Sequence, residues 1–60
     1  MRQIDWVNGY KIFKSSNSFG DLILTLEESD GGARTELTFQ EGTWPPLTTE
    51  EFERLIRVYC

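Results

Sequence analysis

Two short segments with alternating apolar residues, joined by a turn sequence, constrain the fold most strongly. Leucines occupy every second position from Leu22 to Leu26, and the segment Arg34–Gln40 carries apolar residues with the same spacing. A period of two is typical of a β-strand that buries one face. Asp30-Gly31, between the segments, is a sequence favoured in tight hairpin turns. The sequence therefore predicts a β-hairpin over residues 22–40.

Turn position, apolar pairing and charge pairing all predict one register for this hairpin. With Asp30-Gly31 as the central pair, Leu24 lies opposite Leu37. The other pairs in this register are Leu22 with Phe39, Leu26 with Thr35, Thr25 with Glu36 and Glu27 with Arg34. Apolar residues then meet on one face and opposite charges meet on the other, which stabilises a pair of strands.

A second turn signal predicts another hairpin at the start of the chain. Asn8-Gly9 suits a type I′ turn, in which both central residues have positive φ. The simple register places Ile4 opposite Phe13 and leaves apolar side chains on both faces. We therefore expect either one core face and one exposed apolar face, or a β-bulge. Residues 15–21 are polar and rich in turn-forming residues, so they are expected to form the loop between the hairpins.

The last part of the chain has the pattern of an amphipathic helix. Thr48 is a favourable N-cap, and Glu51 is expected to complete a capping box with it. The predicted buried stripe, with i, i+3, i+4, i+7 spacing, comprises Phe52, Leu55, Ile56 and Tyr59. The predicted i, i+4 ion pairs are Glu50 with Arg54 and Glu53 with Arg57.

These elements together predict an α+β fold in a single domain over residues 1–60. The expected order is ββββα: a four-stranded antiparallel sheet of two hairpins, with one C-terminal helix packed on one face. A chain of 60 residues has room for only one small core, since about 60% of the unfolded surface is buried at this size. The chain has no run of 18 apolar residues, so we expect no membrane span. A single cysteine suits a cytoplasmic protein.

Residue composition disfavours catalysis. The chain has no histidine and one cysteine, Cys60, so His-based general bases, the usual nucleophilic triads and most metal sites are excluded. Paired carboxylates also need a cleft that shields them from water, and a domain of this size has little room for one. We therefore expect a protein that is not an enzyme, with no cofactor, no catalytic residue and no metal site.

Apolar residues outside the predicted core are the candidate binding site. One helix covers one face of a sheet, so the other face is expected to stay uncovered. That face should carry Ile23, Thr25 and one set from the first hairpin, either Trp6 with Phe13 or Tyr10 with Ile12. The candidate partner-binding residues are Trp6, Tyr10, Lys11, Phe13, Ile23 and Trp44. Tryptophan and tyrosine are enriched at protein interfaces, and aromatic residues beside Lys11 and Lys14 also suit stacking on single-stranded bases.

Charge favours a protein partner over nucleic acid. The chain has 10 acidic and 6 basic residues, a formal net charge of −4, whereas nucleic-acid binding needs a basic surface. The hypothesis is a small acidic, non-enzymatic protein-interaction or regulatory module that acts as a homodimer or on a larger protein, without a membrane. Small acidic proteins of this kind are often encoded by phages or mobile elements, which is an association and not a physical argument. One subtype is an acidic decoy that occupies a nucleic-acid-binding site.

The second half of the chain resembles the small PC4-like single-stranded-DNA-binding domains. Those domains have ββββα order and a helix start of the type Leu-Thr-x-Glu-Glu-Phe, which Leu47–Phe52 matches. The resemblance covers residues 21–58, and it implies a homodimer that binds single-stranded nucleic acid. The chain departs from the family because its sheet carries acidic residues, Glu27, Glu28 and Glu36, where the family has lysine and arginine. Trp44-Pro45-Pro46 also replaces a strand, so no functional residue is carried over.

Overall fold

A four-stranded antiparallel sheet, covered on one face by a helix, makes up the fold in the computed structural model, which describes all 60 residues. The elements are β1 (Arg2–Val7), β2 (Tyr10–Ser16), β3 (Leu22–Glu28), β4 (Arg34–Phe39) and α1 (Thr49–Tyr59). The strands are ordered β1-β2-β3-β4, so that β1 and β4 form the two edges of the sheet. The predicted α+β class and ββββα order are confirmed. No helix in the chain combines the length and the apolar character needed to span a membrane.

β3 and β4 pair in the register that the sequence predicts, with Leu24 opposite Leu37. The turn is longer than the two-residue turn that Asp30-Gly31 alone would form. The Glu28 N–H donates to the Ala33 carbonyl at 2.9 Å, and the Gly31 N–H donates to the Glu28 carbonyl at 2.9 Å. The loop therefore comprises residues 29–32, and it preserves the register because Asp30-Gly31 lies at its centre.

The first hairpin has the predicted turn but an irregular register. Asn8-Gly9 has positive φ at both residues, 49° and 83°, as a type I′ turn requires. Gln3, rather than Ile4, lies opposite Phe13, because the register shifts between Gln3 and Asp5. The extra residue of this β-bulge lets Ile4 pack against the core. The predicted Ile4–Phe13 pair is therefore wrong, and the alternative of a bulge is confirmed.

The core lies between α1 and one face of the sheet. Its buried apolar residues are Val7, Ile12, Leu22, Leu24, Leu26, Phe52, Leu55 and Ile56. The three leucines of β3 are 0% exposed, which follows from their place on a central strand directly under the helix. Tyr59, predicted to end the buried stripe, is 54% exposed. Tyr10 packs against the core beside Cys60, at the same end of the helix, and Tyr59 is left outside.

The start of α1 shows one half of the predicted capping box. Thr48 is the N-cap, and its hydroxyl oxygen accepts a hydrogen bond from the Glu51 N–H at 3.2 Å. The Glu51 carboxylate accepts from Arg54 instead, at 2.8 Å from Nη2 and 3.3 Å from Nε. Glu51–Arg54 is the ion pair of this helix, so the predicted pairs of Arg54 with Glu50 and of Arg57 with Glu53 are wrong. A two-pronged guanidinium–carboxylate contact is stronger than a single one, and it raises the pKa of Arg54.

Asp5 links the start of the helix to β1 through hydrogen bonds. Its Oδ2 accepts a hydrogen bond from the Thr49 hydroxyl at 2.7 Å, and its Oδ1 accepts from the Trp6 N–H at 2.8 Å. One carboxylate therefore holds both the helix and the backbone of the edge strand. Asp5 and Thr49 lie 44 residues apart, and no local pattern in the sequence predicts this contact.

Candidate functional site

The candidate site is the face of the sheet that points away from α1, which we name the open face. Residues directly opposite each other in an antiparallel pair share a face. Because the leucines of β3 point to the helix, Ile23, Thr25 and Glu27 of the same strand lie on the open face. Their cross-strand partners add Lys11, Phe13 and Ser15 on β2, Arg34, Glu36 and Thr38 on β4, and Trp6 and Gln3 on β1.

The apolar side chains of the open face lie towards the first hairpin. Trp6 is 66% exposed, whereas Phe13 and Ile23 are half-buried. Thr25 lies opposite Phe13 and is only 1% exposed. Trp6 and Ile23 each occupy a position diagonal to Phe13 across the strands, within reach of an aromatic side chain. The result is an apolar surface of neighbouring side chains on which the indole ring of Trp6 is exposed.

The structure decides between the two sets predicted for this face. Trp6 with Phe13 lies on the open face, while Tyr10 with Ile12 lies on the helix side. The reason is the β2–β3 register, which places Ile12 opposite the core residue Leu26. Ile12 is accordingly 0% exposed.

Charges on the open face are balanced. Lys11, Glu27 and Arg34 form one row across β2, β3 and β4, with Trp6 at the β1 end. Glu36 lies beside this row, and its carboxylate contacts the Arg34 guanidinium at 3.2 Å. Glu27 and Arg34 are opposite each other as predicted, but the ion pair forms along β4 instead. Two acidic and two basic groups give the open face a formal charge near zero.

Two of the six candidate residues lie elsewhere. Tyr10 packs against the core, where burial raises the pKa of its hydroxyl, and the nearby Cys60 and Glu28 raise it further. Trp44 belongs to the segment between β4 and α1 and is 44% exposed. The structure therefore brings together Trp6, Lys11, Phe13 and Ile23 on one surface, and it separates Tyr10 and Trp44 from them.

Trp44 has a contact that the sequence analysis missed. The Nζ atom of Lys14 lies 5.6 Å from the centre of the Trp44 ring, a distance at which a cation is attracted to an aromatic face. No local pattern in the sequence predicts this contact, because Lys14 lies on the helix side of β2, opposite Leu24, and Trp44 follows β4 in the chain. A surface depression of about 550 Å³ lies beside Trp44 and is lined by Gly20, Glu41, Gly42 and Trp44.

The acidic residues lie in several parts of the molecule, and Glu28 and Asp30 are neighbours at the β3–β4 loop. Asp30 lies in the β3–β4 loop, Glu41 follows β4, and Glu50 lies in the first turn of α1. No three side chains among Asp, Glu, His and Cys come close enough together to hold a metal ion. The open face, with its exposed indole and balanced charges, is therefore the most distinctive surface of the chain.

Comparison of the chain with protein-family models, with curated proteins and with solved structures finds no match. The resemblance to PC4-like domains therefore stays a prediction.

Proposed function

We propose that this chain is a non-enzymatic protein-interaction module that binds a protein partner through the open face. The observation that supports the proposal is the exposure of Trp6 beside Phe13 and Ile23, on a sheet face with no second layer over it. Tryptophan is the residue type most enriched among those that contribute most to binding energy. Apolar residues at the centre with charged residues around them are also typical of a protein interface.

The charges of the open face suit a protein better than a nucleic acid. Its aromatic residues have one basic neighbour, Lys11, which lies directly opposite Trp6. Arg34 is already paired with Glu36. A phosphate backbone needs an excess of positive charge, which this face lacks. We expect a partner with an apolar pocket for the indole and with charges complementary to the row from Lys11 to Arg34.

The proposal includes a regulatory role in the cytoplasm. The lone cysteine, Cys60, is exposed and unpaired, and free thiols are typical of reducing compartments. The decoy hypothesis is the less favoured form, because the open face that carries the exposed indole has no net negative charge.

A capture experiment with two tryptophan variants tests the proposal. Wild type, Trp6→Ser and Trp44→Ser are immobilised and exposed to an extract of the source cells, and the retained proteins are quantified by mass spectrometry. Trp44→Ser is a matched control because it removes an exposed indole that lies off the open face. We expect a protein that wild type and Trp44→Ser retain and that Trp6→Ser loses. Equal retention by Trp6→Ser and wild type would overturn the proposal.

Titration with a labelled single-stranded oligonucleotide tests the alternative of a PC4-like nucleic-acid-binding homodimer. Fluorescence anisotropy is measured at low and at physiological salt. We expect no binding at either salt concentration. Binding that requires Trp6 and weakens steeply with salt would overturn the proposal in favour of that alternative.

A further inference from the structure

The free edge of β4 presents unpaired backbone groups. The hydrogen bond from the Glu28 N–H to the Ala33 carbonyl shows which residues bond towards β3. In an antiparallel pair the direction alternates along the strand, so the inward residues are Ala33, Thr35, Leu37 and Phe39. The N–H and C=O groups of Arg34, Glu36 and Thr38 therefore point away from the sheet, where no further strand lies. Such a row is a template for another strand.

Nothing in β4 obstructs this edge. The strand pairs with β3 without a register shift, and it contains no proline. Its two charges, Arg34 and Glu36, form an ion pair with each other at 3.2 Å, so they leave no net charge to repel an approaching strand. Bulges, prolines and unbalanced charges are the usual ways in which proteins block an edge, and this edge has none of them.

Apolar surface lies next to the free edge. Leu37 and Phe39 are only half-buried, whereas their partners on β3, Leu24 and Leu22, are 0% exposed. The start of the helix packs against β1, at the far side of the sheet, and its end reaches β4 at Thr35, whose hydroxyl lies 4.0 Å from the Cys60 Sγ atom, while Leu37 and Phe39 remain only half-buried. A strand added beside β4 would cover these two side chains further.

We propose that two copies of the chain pair through their β4 edges, antiparallel, to form one continuous eight-stranded sheet. This goes beyond the proposed function, because the edge is a different surface from the open face. The second copy is the favoured occupant because β4 is complementary to itself in one register. A two-fold axis perpendicular to the sheet relates the copies, so both helices lie on one side and both open faces on the other.

Side-chain pairing selects that register. Residues that face each other across the new boundary must lie on the same side of the sheet, and two registers satisfy this while keeping most of β4 paired. One places Glu36 opposite the second copy's Glu36, and like charges opposite each other are destabilising. The other places Leu37 opposite the second copy's Leu37, with Glu36 opposite Thr38 and Thr35 opposite Phe39. The second register is therefore expected.

Sedimentation equilibrium over a range of concentrations tests the pairing. We expect wild type to form a dimer and Thr38→Pro to be monomeric, because proline removes an N–H that points out of the sheet and spares the bonds to β3. Trp6→Ser is the matched control on the open face, and it should still form a dimer. A wild type that stays monomeric at all concentrations, or a dimer that Trp6→Ser abolishes and Thr38→Pro does not, would overturn the proposal.

Cysteine cross-linking tests the register without relying on the proline variant. In a Cys60→Ser background, Leu37→Cys and Glu36→Cys are each exposed to a mild oxidant and examined on a non-reducing gel. The predicted register places the Leu37 positions in a non-hydrogen-bonded pair, with Cα atoms about 4.5 Å apart, within the range of a disulfide. We expect a covalent dimer from Leu37→Cys and little from Glu36→Cys. A covalent dimer from Glu36→Cys alone would overturn the proposed register.

Discussion

The two edge strands of this sheet differ in whether their outer side can pair with another strand. β1 carries a bulge, its Trp6 N–H is bound by the Asp5 side chain, and the same carboxylate holds the start of α1. β4 is regular and leaves alternate backbone groups without a partner. We call β1 the closed edge, because these features hinder pairing with a further strand, and β4 the free edge. A sheet with one closed edge and one free edge can add strands in one direction only. The contrast teaches that association of this chain through backbone pairing should stop at a pair.

The largest expected effect tests whether side chains of the core are less buried on β4, at the free edge, than on β3. Leu24 and Leu37 are the same residue type, lie directly opposite each other, and differ in burial. Leu24→Ala should lower the free energy of unfolding by about 2–5 kcal/mol, as expected for a fully buried leucine. Leu37→Ala should cost about half as much, since less of its side chain leaves water. Urea denaturation of both variants, in the Thr38→Pro background, gives the comparison, and equal losses would contradict it.

A smaller effect tests the hydrogen bonds that Asp5 accepts at the β1 edge. Asp5→Ala removes the acceptor for both the Trp6 N–H and the Thr49 hydroxyl. Hydrogen bonds to a charged group contribute about 1.5–3 kcal/mol when buried, and this site is partly exposed, so we expect a loss of about 1–2 kcal/mol. Thr49→Ala should lower the free energy of unfolding by less than Asp5→Ala does. The double variant should lower it by less than the sum of the two single losses. Strict additivity would show that the Asp5–Thr49 contact does not stabilise the protein.

The smallest effect compares single backbone amides at the two edges. In the Thr38→Pro variant, which we expect to be monomeric, the Trp6 N–H is bound to Asp5, whereas the Glu36 N–H points to solvent. Amide exchange followed by NMR should be slower at Trp6 than at Glu36, since exchange requires an amide to lose its hydrogen bond. Asp5→Ala should remove the difference. Faster exchange at Trp6 would contradict the description of β1 as the closed edge.

The parts of the fold that follow a regular period could be predicted from the sequence. The alternating leucines of β3 and the position of Asp30-Gly31 predicted every pair that joins β3 to β4. The bulge at Ile4 could only be offered as an alternative, because the first hairpin is apolar on both faces and its pattern does not select a register. The exposure of Tyr59 was also missed, since helical spacing does not show what packs at the end of the helix.

The candidate site could be predicted in part, because its residues follow the regular alternation of side chains along a strand. Lys11, Phe13 and Ile23 share a face because strands alternate, and Trp6 joins them through the type I′ turn. The contacts of Lys14 with Trp44 and of Asp5 with Thr49 join residues far apart in the chain. Contacts of that kind depend on how the elements pack, which a local pattern does not contain.

The order of the strands has a consequence for how quickly the chain folds. Each strand pairs with its neighbour in the sequence, so a sheet contact requires the closure of only a short loop, and chains dominated by local contacts fold fast. The contact of the helix start with Asp5 spans 44 residues and is expected to form late. The leucine-rich β3 is thus enclosed between two strands early, and it is exposed to other chains only briefly after synthesis.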